Sequence, residues 1–210
     1  MGTLIRLNNV TLGYNHLFEK HAPVGSDRAM YSAELVLPPG HPDIAKIQQV
    51  FRQVATEAGK GQYLQHLISP LKDGNAINTE RQGKGKAPMD HYAGNFIIKA
   101  NDRDVAPRVV DGNRNPILAN QRDQIFGGCL VNAFIDLYWS NNQQNPGVFC
   151  GLLGIQLVSN VNVTPIGREQ MSPEQMFDTV EGAPAPLQQP AMQPQGPAQQ
   201  PQPNTKAPWE

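Results

Sequence analysis

Little in this 210-residue sequence offers itself as a reactive site. There are two cysteines, no Cys-x-x-Cys and five histidines. The histidines (His16, His21, His41, His66, His91) are scattered and form no pair at metal-ligand spacing, so a zinc centre is not expected. Cys129 and Cys150 both fall inside strand-like stretches and read as buried reduced thiols, although neighbouring strands could bring them together. No stretch approaches the roughly 18 apolar residues of a membrane span, and the first ten residues lack the apolar run of a signal peptide. No Gly-x-Gly-x-x-Gly follows a strand, and there is neither a Walker loop nor a Gly-x-Ser-x-Gly elbow. Asp90-His91 with Asp102, Asp104, Asp111 and Asp123 would be the raw material of a two-metal nuclease site. Each of these acids lies in a loop among arginines, where carboxylates usually serve as ion-pair partners or turn formers. No catalysis, cofactor or metal is expected.

What the chain does have is strand. In residues 124–158, Ile125, Gly127, Cys129, Val131, Ala133, Ile135, Leu137 and Trp139 give one apolar face. Phe126, Leu130, Asn132, Phe134, Asp136 and Tyr138 give a mixed one. This period of two marks a strand buried on one side. A polar loop at 140–146 leads to a second apolar strand from Gly147, making a hairpin. Glycines 127, 128, 151 and 154 allow sharp bends, which suit a small closed barrel better than a flat sheet. Further strands are expected at residues 4–12, 30–37 and 94–100, with 13–28 irregular. Pro42 and Asp43 open a helix whose stripe Ile44, Ile47, Phe51, Val54 and Ala58 would plug the barrel, and a short helical turn is expected within 63–71. Residues 79–88 show no apolar period and read as a long, mobile, basic loop. Residues 101–121 read as a cationic loop. The fold class these residues lead one to expect is mainly β with minor α: a small closed or half-closed barrel, one capping helix, long loops and a disordered C-terminal tail.

Charge is distributed unevenly. Residues 1–166 carry 15 Lys+Arg against 13 Asp+Glu, and residues 167–210 carry 2 against 5. Residues 171–180 are expected to form a short acidic helix. Of the 29 residues from 182 to 210, 8 are Pro and 7 are Gln, too little apolar surface to offset the entropy of ordering. The division expected is therefore a binding domain at 1–166 and an acidic, then Gln/Pro-rich, disordered tail at 167–210. Trp209 and Glu210 place an aromatic beside a carboxylate in this tail.

Basic side chains neutralise phosphates and aromatic faces stack on unpaired bases, so cationic loops beside a β body point to a nucleic-acid strand. The candidate cations are Lys72, Arg81, Lys84, Lys86, Lys99, Arg103, Arg108, Arg114 and Arg122. The candidate stacking residues are Tyr92, Phe96, Phe134 and Tyr138, with Tyr138 the first choice. Trp139 shares the core parity and is expected to be buried.

Several segments resemble one phage family. Residues 95–117 (NFIIKANDRDVAPRVVDGNRNPI) are similar to its core segment. Residues 125–139 (IFGGCLVNAFIDLYW) are similar to its Tyr/Phe-x-Gly-Cys-x-Val-x-Ala signature, and residues 147–158 to its closing strand. Lys72-Asp73-Gly74 resembles its Lys-Asp-Gly turn. The family was once catalogued as domain of unknown function 2815, and the match covers most of residues 1–166. The resemblance implies a phage single-stranded-DNA-binding protein, related in plan to the replication proteins of podophages, and makes the expected barrel a five-stranded OB-type one. It implies binding without sequence preference during replication and recombination, in the cytoplasm of an infected bacterial host. The protein would act as a monomer or weak oligomer, with cooperativity on DNA open and no membrane involved. Replication proteins such as a polymerase or helicase would be met through Trp209 and Glu210. The tail departs from the usual plan, since its acids come early (Glu169, Glu174, Asp178, Glu181) and no dense acidic run ends in Phe. A strand-annealing recombination protein and a phage structural protein are the rival readings.

Overall fold

The computed structural model describes residues 2–23, 25–141 and 146–167. The expected acidic helix, Trp209, Glu210 and the tail as a whole lie outside the described residues. The secondary structure is mainly β. Among the described residues the strands are β1 (Thr3–His21), β2 (Met30–Leu37), β3 (Leu71–Asp73), β4 (Phe96–Asp102), β5 (Arg108–Val110), β6 (Leu130–Ser140) and β7 (Gly147–Ser159). Two helices are α1 (Pro42–Glu57) and α2 (Gly74–Gly83), with 3-10 turns at Gly61–His66, Asp90–Tyr92 and Ala119–Gln124.

β1 pairs with β2 and β6, β2 with β4, and β6 with β7, all antiparallel. A parallel contact of β4 with β7, Asn101 opposite Gly151, closes the circle into a five-stranded barrel. β3 is added outside β4, and β5 runs parallel to β7 beyond the end of β4. This is the barrel that the alternating stretches lead one to expect.

The first strand is longer than its pattern suggests. Residues 13–21, expected to be irregular, continue β1 to His21. Two bulges explain why alternation fails to reveal them. Ile5 and Leu7 point inward, then a register shift between Leu7 and Val10 moves the buried set to Val10 and Leu12. A second shift between Leu12 and Asn15 moves it again, to Leu17. Each extra residue inverts the parity and tightens the bend, letting one strand pair with β6 along its first half and β2 along its second.

α1 follows the expected stripe: Ile47, Val54 and Ala55 are almost fully buried in the same cluster as the barrel interior, with Ile44 and Phe51 half-buried beside them. At about 1.5–3 kcal/mol for each fully buried aliphatic side chain, this face fixes the helix on the barrel. Its start is tied to the first bulge. The Asn8 N–H donates to Asp43 Oδ2 at 2.8 Å, and His41 Nε2 bonds the Asn8 carbonyl at 3.0 Å. His41 Nδ1 accepts from the Asp43 N–H.

The basic stretch expected as a mobile loop is instead α2 and the turn after it. Asp73 caps the helix, its Oδ1 accepting from the N–H groups of Asn75 and Ala76. Gly74 is required because a Cβ there would lie 2.0 Å from the Tyr92 carbonyl oxygen. A ten-residue helix anchored by Ile77 shows no apolar stripe, so its sequence reads as loop. Ile77 and Met89 pack on Val36, Ile97 and Tyr92, a second small core on the outer face of β2 and β4. Two further expectations need correction. β6 starts at Leu130, because residues 119–124 form a 3-10 turn and Gly128, at φ 108°, redirects the chain into the strand. Residues 101–121 contain β5, whose three residues are too few to show a period.

Candidate nucleic-acid interface

Residues facing away from the barrel core form rows across its strands. Arg6 of β1 lies opposite Phe134 of β6, Phe134 opposite Gly154 of β7, and Gly154 opposite Arg108 of β5. One row thus carries an arginine, an aromatic 44 % exposed, a gap without a side chain, and a second arginine. The next row runs Leu4, Asp136, Gly151, Asn101, and beyond it Tyr138 faces Phe149. Glycine at 151 and 154 keeps side chains from rising between the aromatics. A bulge at Leu153 separates the two glycines and leaves Leu153 exposed on this surface.

Arg6, Arg108, Arg114 and Phe134 line one groove of about 570 Å³, floored by Asn132, Gly154 and Gln156. No acidic side chain lines it, and none of the three guanidiniums forms an ion pair among the described residues. Arg114 sits at φ 71° in a turn built by Asp111. The Asp111 carboxylate accepts from the N–H groups of Asn113 and Asn115 and from the Asn115 amide, bonds that hold it below the usual carboxylate range. Asp102 makes a similar turn, accepting from the N–H groups of Asp104 and Val105. These two acids act as turn formers, as their setting among arginines suggests.

A second cationic patch lies on α2 and its surroundings. Lys72, Arg81, Lys84, Lys86 and Lys99 surround a smaller hollow with Glu80 and Tyr92. Here acids compensate much of the charge. Lys84 pairs with Glu80 one helical turn away, and Lys99 Nζ lies 2.8 Å from Glu34 Oε1. Burial pushes the Glu34 carboxyl up, but His91, Lys99 and Tyr92 together pull it down to about 2. Of these, Lys99 and the Tyr92 hydroxyl, at 2.8 and 2.9 Å from the two oxygens, are the hydrogen-bond donors, whereas His91 Nε2 stays at 3.8 Å. Arg81 is partly spent as well, its Nε donating to the Ala87 carbonyl.

The remaining candidates fall in different places. Tyr92 is 2 % exposed, with its ring in the second core and its hydroxyl on Glu34, so it cannot stack on a base. Phe96 is half-buried, packed against the barrel core. Trp139 is half-buried against the same core, on the side its parity assigned. Tyr138 is 36 % exposed and its ring lies 6.4 Å from that of Phe149. Burial raises the Tyr138 phenol and Cys150 adds to this, while nearby Arg103 opposes it. Arg103 is exposed in the bend after β4. Arg122 joins neither patch. It lies at the far end of β1, 3.4 Å from Glu19.

Arg6 was missed because in sequence it merely interrupts an apolar run. Its importance comes from pairing with β6, a contact between residues 128 positions apart that periodicity does not encode. Phe149 and Gln156 belong to this surface for the same reason.

An outward-facing strip of cations, aromatics and glycines on a closed five-stranded barrel is the kind of surface that tracks an unpaired strand. Solved structures share the architecture. The single-stranded DNA-binding protein from bacteriophage Enc34, in complex with ssDNA, superimposes with a TM-score of 0.63 at 20 % identity, over 78 % of this chain and 89 % of that one. A second structure of the single-stranded DNA-binding protein from bacteriophage Enc34 gives 0.61 over 83 % and 90 %, also at 20 % identity. In sequence, protein p50 of Acyrthosiphon pisum secondary endosymbiont phage 1 is 30 % identical over 153 residues, covering 72 % of this chain and 81 % of p50. Residues 3–184 match the family described as Enterobacter phage Enc34, ssDNA-binding protein. With barrel and sequence agreeing over most of its length, the chain belongs to the Enc34 phage ssDNA-binding protein family.

Proposed function

We propose that this protein binds single-stranded DNA without strong sequence preference, as a coat for unpaired strands during phage replication and recombination in an infected bacterial cell. The observation that carries the reading is the row Arg6–Phe134–Gly154–Arg108. It offers phosphate-binding charge on both sides of a flat, exposed ring, and the gap at Gly154 leaves room for a base. From there the path runs past Leu153 to Tyr138, Phe149 and Arg103, and along β4 to Lys99 and the lysines of the turn after α2. Binding by stacking and phosphate neutralisation reads no base edges, and no step of it calls for catalysis. A duplex, whose bases are already stacked, offers this surface only its phosphates.

The test is titration of fluorescent oligo-dT against a matched duplex over a range of salt. Tight oligo-dT binding with much weaker duplex binding supports the reading. Equal affinity for both, or none for either, overturns it. Recruitment of a replication protein through residues 168–210, with Trp209 and Glu210 as the contact, is a separate part of the proposal. Truncation after Ile166 should abolish capture of a polymerase or helicase and leave a DNA-binding barrel.

A further inference from the structure

We infer that Gln156 is a positioning residue for the arginine groove: it holds Arg6 and the Arg114 turn in place through an uncharged amide, leaving the guanidinium charge available to phosphate. This rests on the reading of the groove as part of the DNA path.

Gln156 lies on β7, opposite Asn132 of β6 and Val110 of β5, one row from Phe134 and Gly154. Its Oε1 accepts from Arg6 Nη2 at 3.1 Å and from Asn132 Nδ2 at 3.0 Å. Its Nε2 donates to the carbonyls of Asp111 and Gly112, each at 3.4 Å. Turned the other way, the amide would set its NH2 against two donors and its oxygen against two acceptors, so the network fixes its orientation. Asn132 extends the network to the first bulge of β1, its Oδ1 accepting from the Asn9 N–H at 3.0 Å. One side chain thereby joins Arg6, the β1 bulge and the turn that carries Arg114.

The chemistry of this side chain has consequences for function. A carboxylate would hold Arg6 at least as firmly, but it would neutralise that arginine and could donate to neither carbonyl. An apolar residue would leave Arg6 free to sample many rotamers and would strand two carbonyls and Asn132. An amide alone serves both sides while adding no charge to a groove with three arginines and no acid.

The test compares Arg6→Ala, Gln156→Met, Gln156→Glu and the Arg6→Ala/Gln156→Met double variant in the full-length chain, by oligo-dT binding across a salt series. Arg6→Ala should weaken binding roughly tenfold, as for one charge-assisted contact, and lower the log–log salt slope by ~0.7. Gln156→Met should weaken it roughly three- to tenfold, and the double variant should lose clearly less than the product of the two single losses, because the two changes share the Arg6 guanidinium and only the effect on the Arg114 turn is added. Gln156→Glu keeps the acceptor, so it guards against a Met variant that folds poorly, and its slope should fall to that of Arg6→Ala. If Arg6→Ala binds like the parent, the groove is off the DNA path and the functional reading of this site fails. If Arg6→Ala binds weakly while the Gln156 variants bind like the parent, or if the losses multiply in the double variant, the groove stands and the role of Gln156 is overturned.

Discussion

The arginine groove and the lysine patch carry similar charge on the same barrel, but the two are built differently. Arg6, Arg108 and Arg114 stand on or beside strands of the barrel, among amides, an aromatic and glycines, with no acid lining the groove. Lys72, Lys84, Lys86 and Lys99 stand on β3, in the turn after α2 and on β4, where Glu80 and Glu34 neutralise two of them. Guanidiniums without a carboxylate partner keep their charge for a ligand, whereas lysines paired with carboxylates have spent part of theirs on the fold. The difference teaches that counting cations is a poor guide to a phosphate path and that the partner of each cation is a better one. By this measure we propose the groove as the centre of the DNA path and the lysine patch as its flank.

The largest expected effect breaks the comparison outright if it fails. Replacing Arg6, Arg108 and Arg114 together with alanine should lower the salt slope of oligo-dT binding by about 2, three phosphates at ~0.7 each, and cost a hundredfold or more in affinity at low salt. Measured beside it, alanine at Lys72, Lys84 and Lys86 should cost clearly less. The reverse ranking would make α2 the principal site. Next comes the ring between the arginines. Phe134→Ala should cost about 1–3 kcal/mol of single-strand affinity, as for one stacked base. Because the ring is 44 % exposed, urea unfolding should barely move. A large loss of stability with unchanged affinity would assign Phe134 to packing, and Tyr138→Ala puts the same question to the less exposed ring.

How much of this was legible in the sequence depends on the range of the contacts involved. The hairpin of β6 and β7, the helix α1 and the barrel class follow from local periodicity, because each buries one face along an unbroken stretch. β1 beyond Leu12 was hidden by its two bulges, and α2 by its single anchor, Ile77. At the site, Arg108, Arg114, Phe134 and Tyr138 are recognisable by residue type and segment. Tyr92 has the right type as well, but Glu34, 58 positions away, holds it inside. Arg6 and Gln156 join the groove only through cross-strand neighbours, which no local pattern records.

The compensated patch makes a prediction about pH. Glu34 has a folded pKa of about 2 against an ordinary 4.5. A depressed carboxylate contributes stability above its unfolded value and loses it as pH falls through the folded one. The contribution should be complete above pH 4.5 and disappear towards pH 2, a change on the order of 2 kcal/mol after allowing for partial exposure. Glu34→Gln should flatten the unfolding free energy across this window and leave Lys99 without its carboxylate, so affinity for DNA should not fall. If the variant lost both stability and DNA affinity, Glu34 would be part of the binding surface and the distinction between the two patches would weaken.

The smallest effect bears on the flank itself. Lys84 is tied to Glu80 on the exposed face of α2, a pair one turn apart whose side chains are 63 % and 67 % exposed. Exposed pairs of this kind are held loosely and screened by salt, so Glu80 subtracts from the charge that Lys84 presents without fixing its position. Lys84→Ala with Lys86→Ala should therefore lower the salt slope by less than the ~1.4 of two free phosphate contacts and weaken binding only a few-fold. Glu80→Gln should act in the opposite sense, releasing Lys84 and tightening binding at low salt, with the gain fading as salt rises. Anisotropy titrations of the two variants at low and high salt decide the matter. If the lysine change flattened the slope by a full ~1.4 and Glu80→Gln had no effect, the lysines would already be as free as the arginines. An unchanged slope in both variants would remove this face of α2 from the DNA path and leave the groove to act alone.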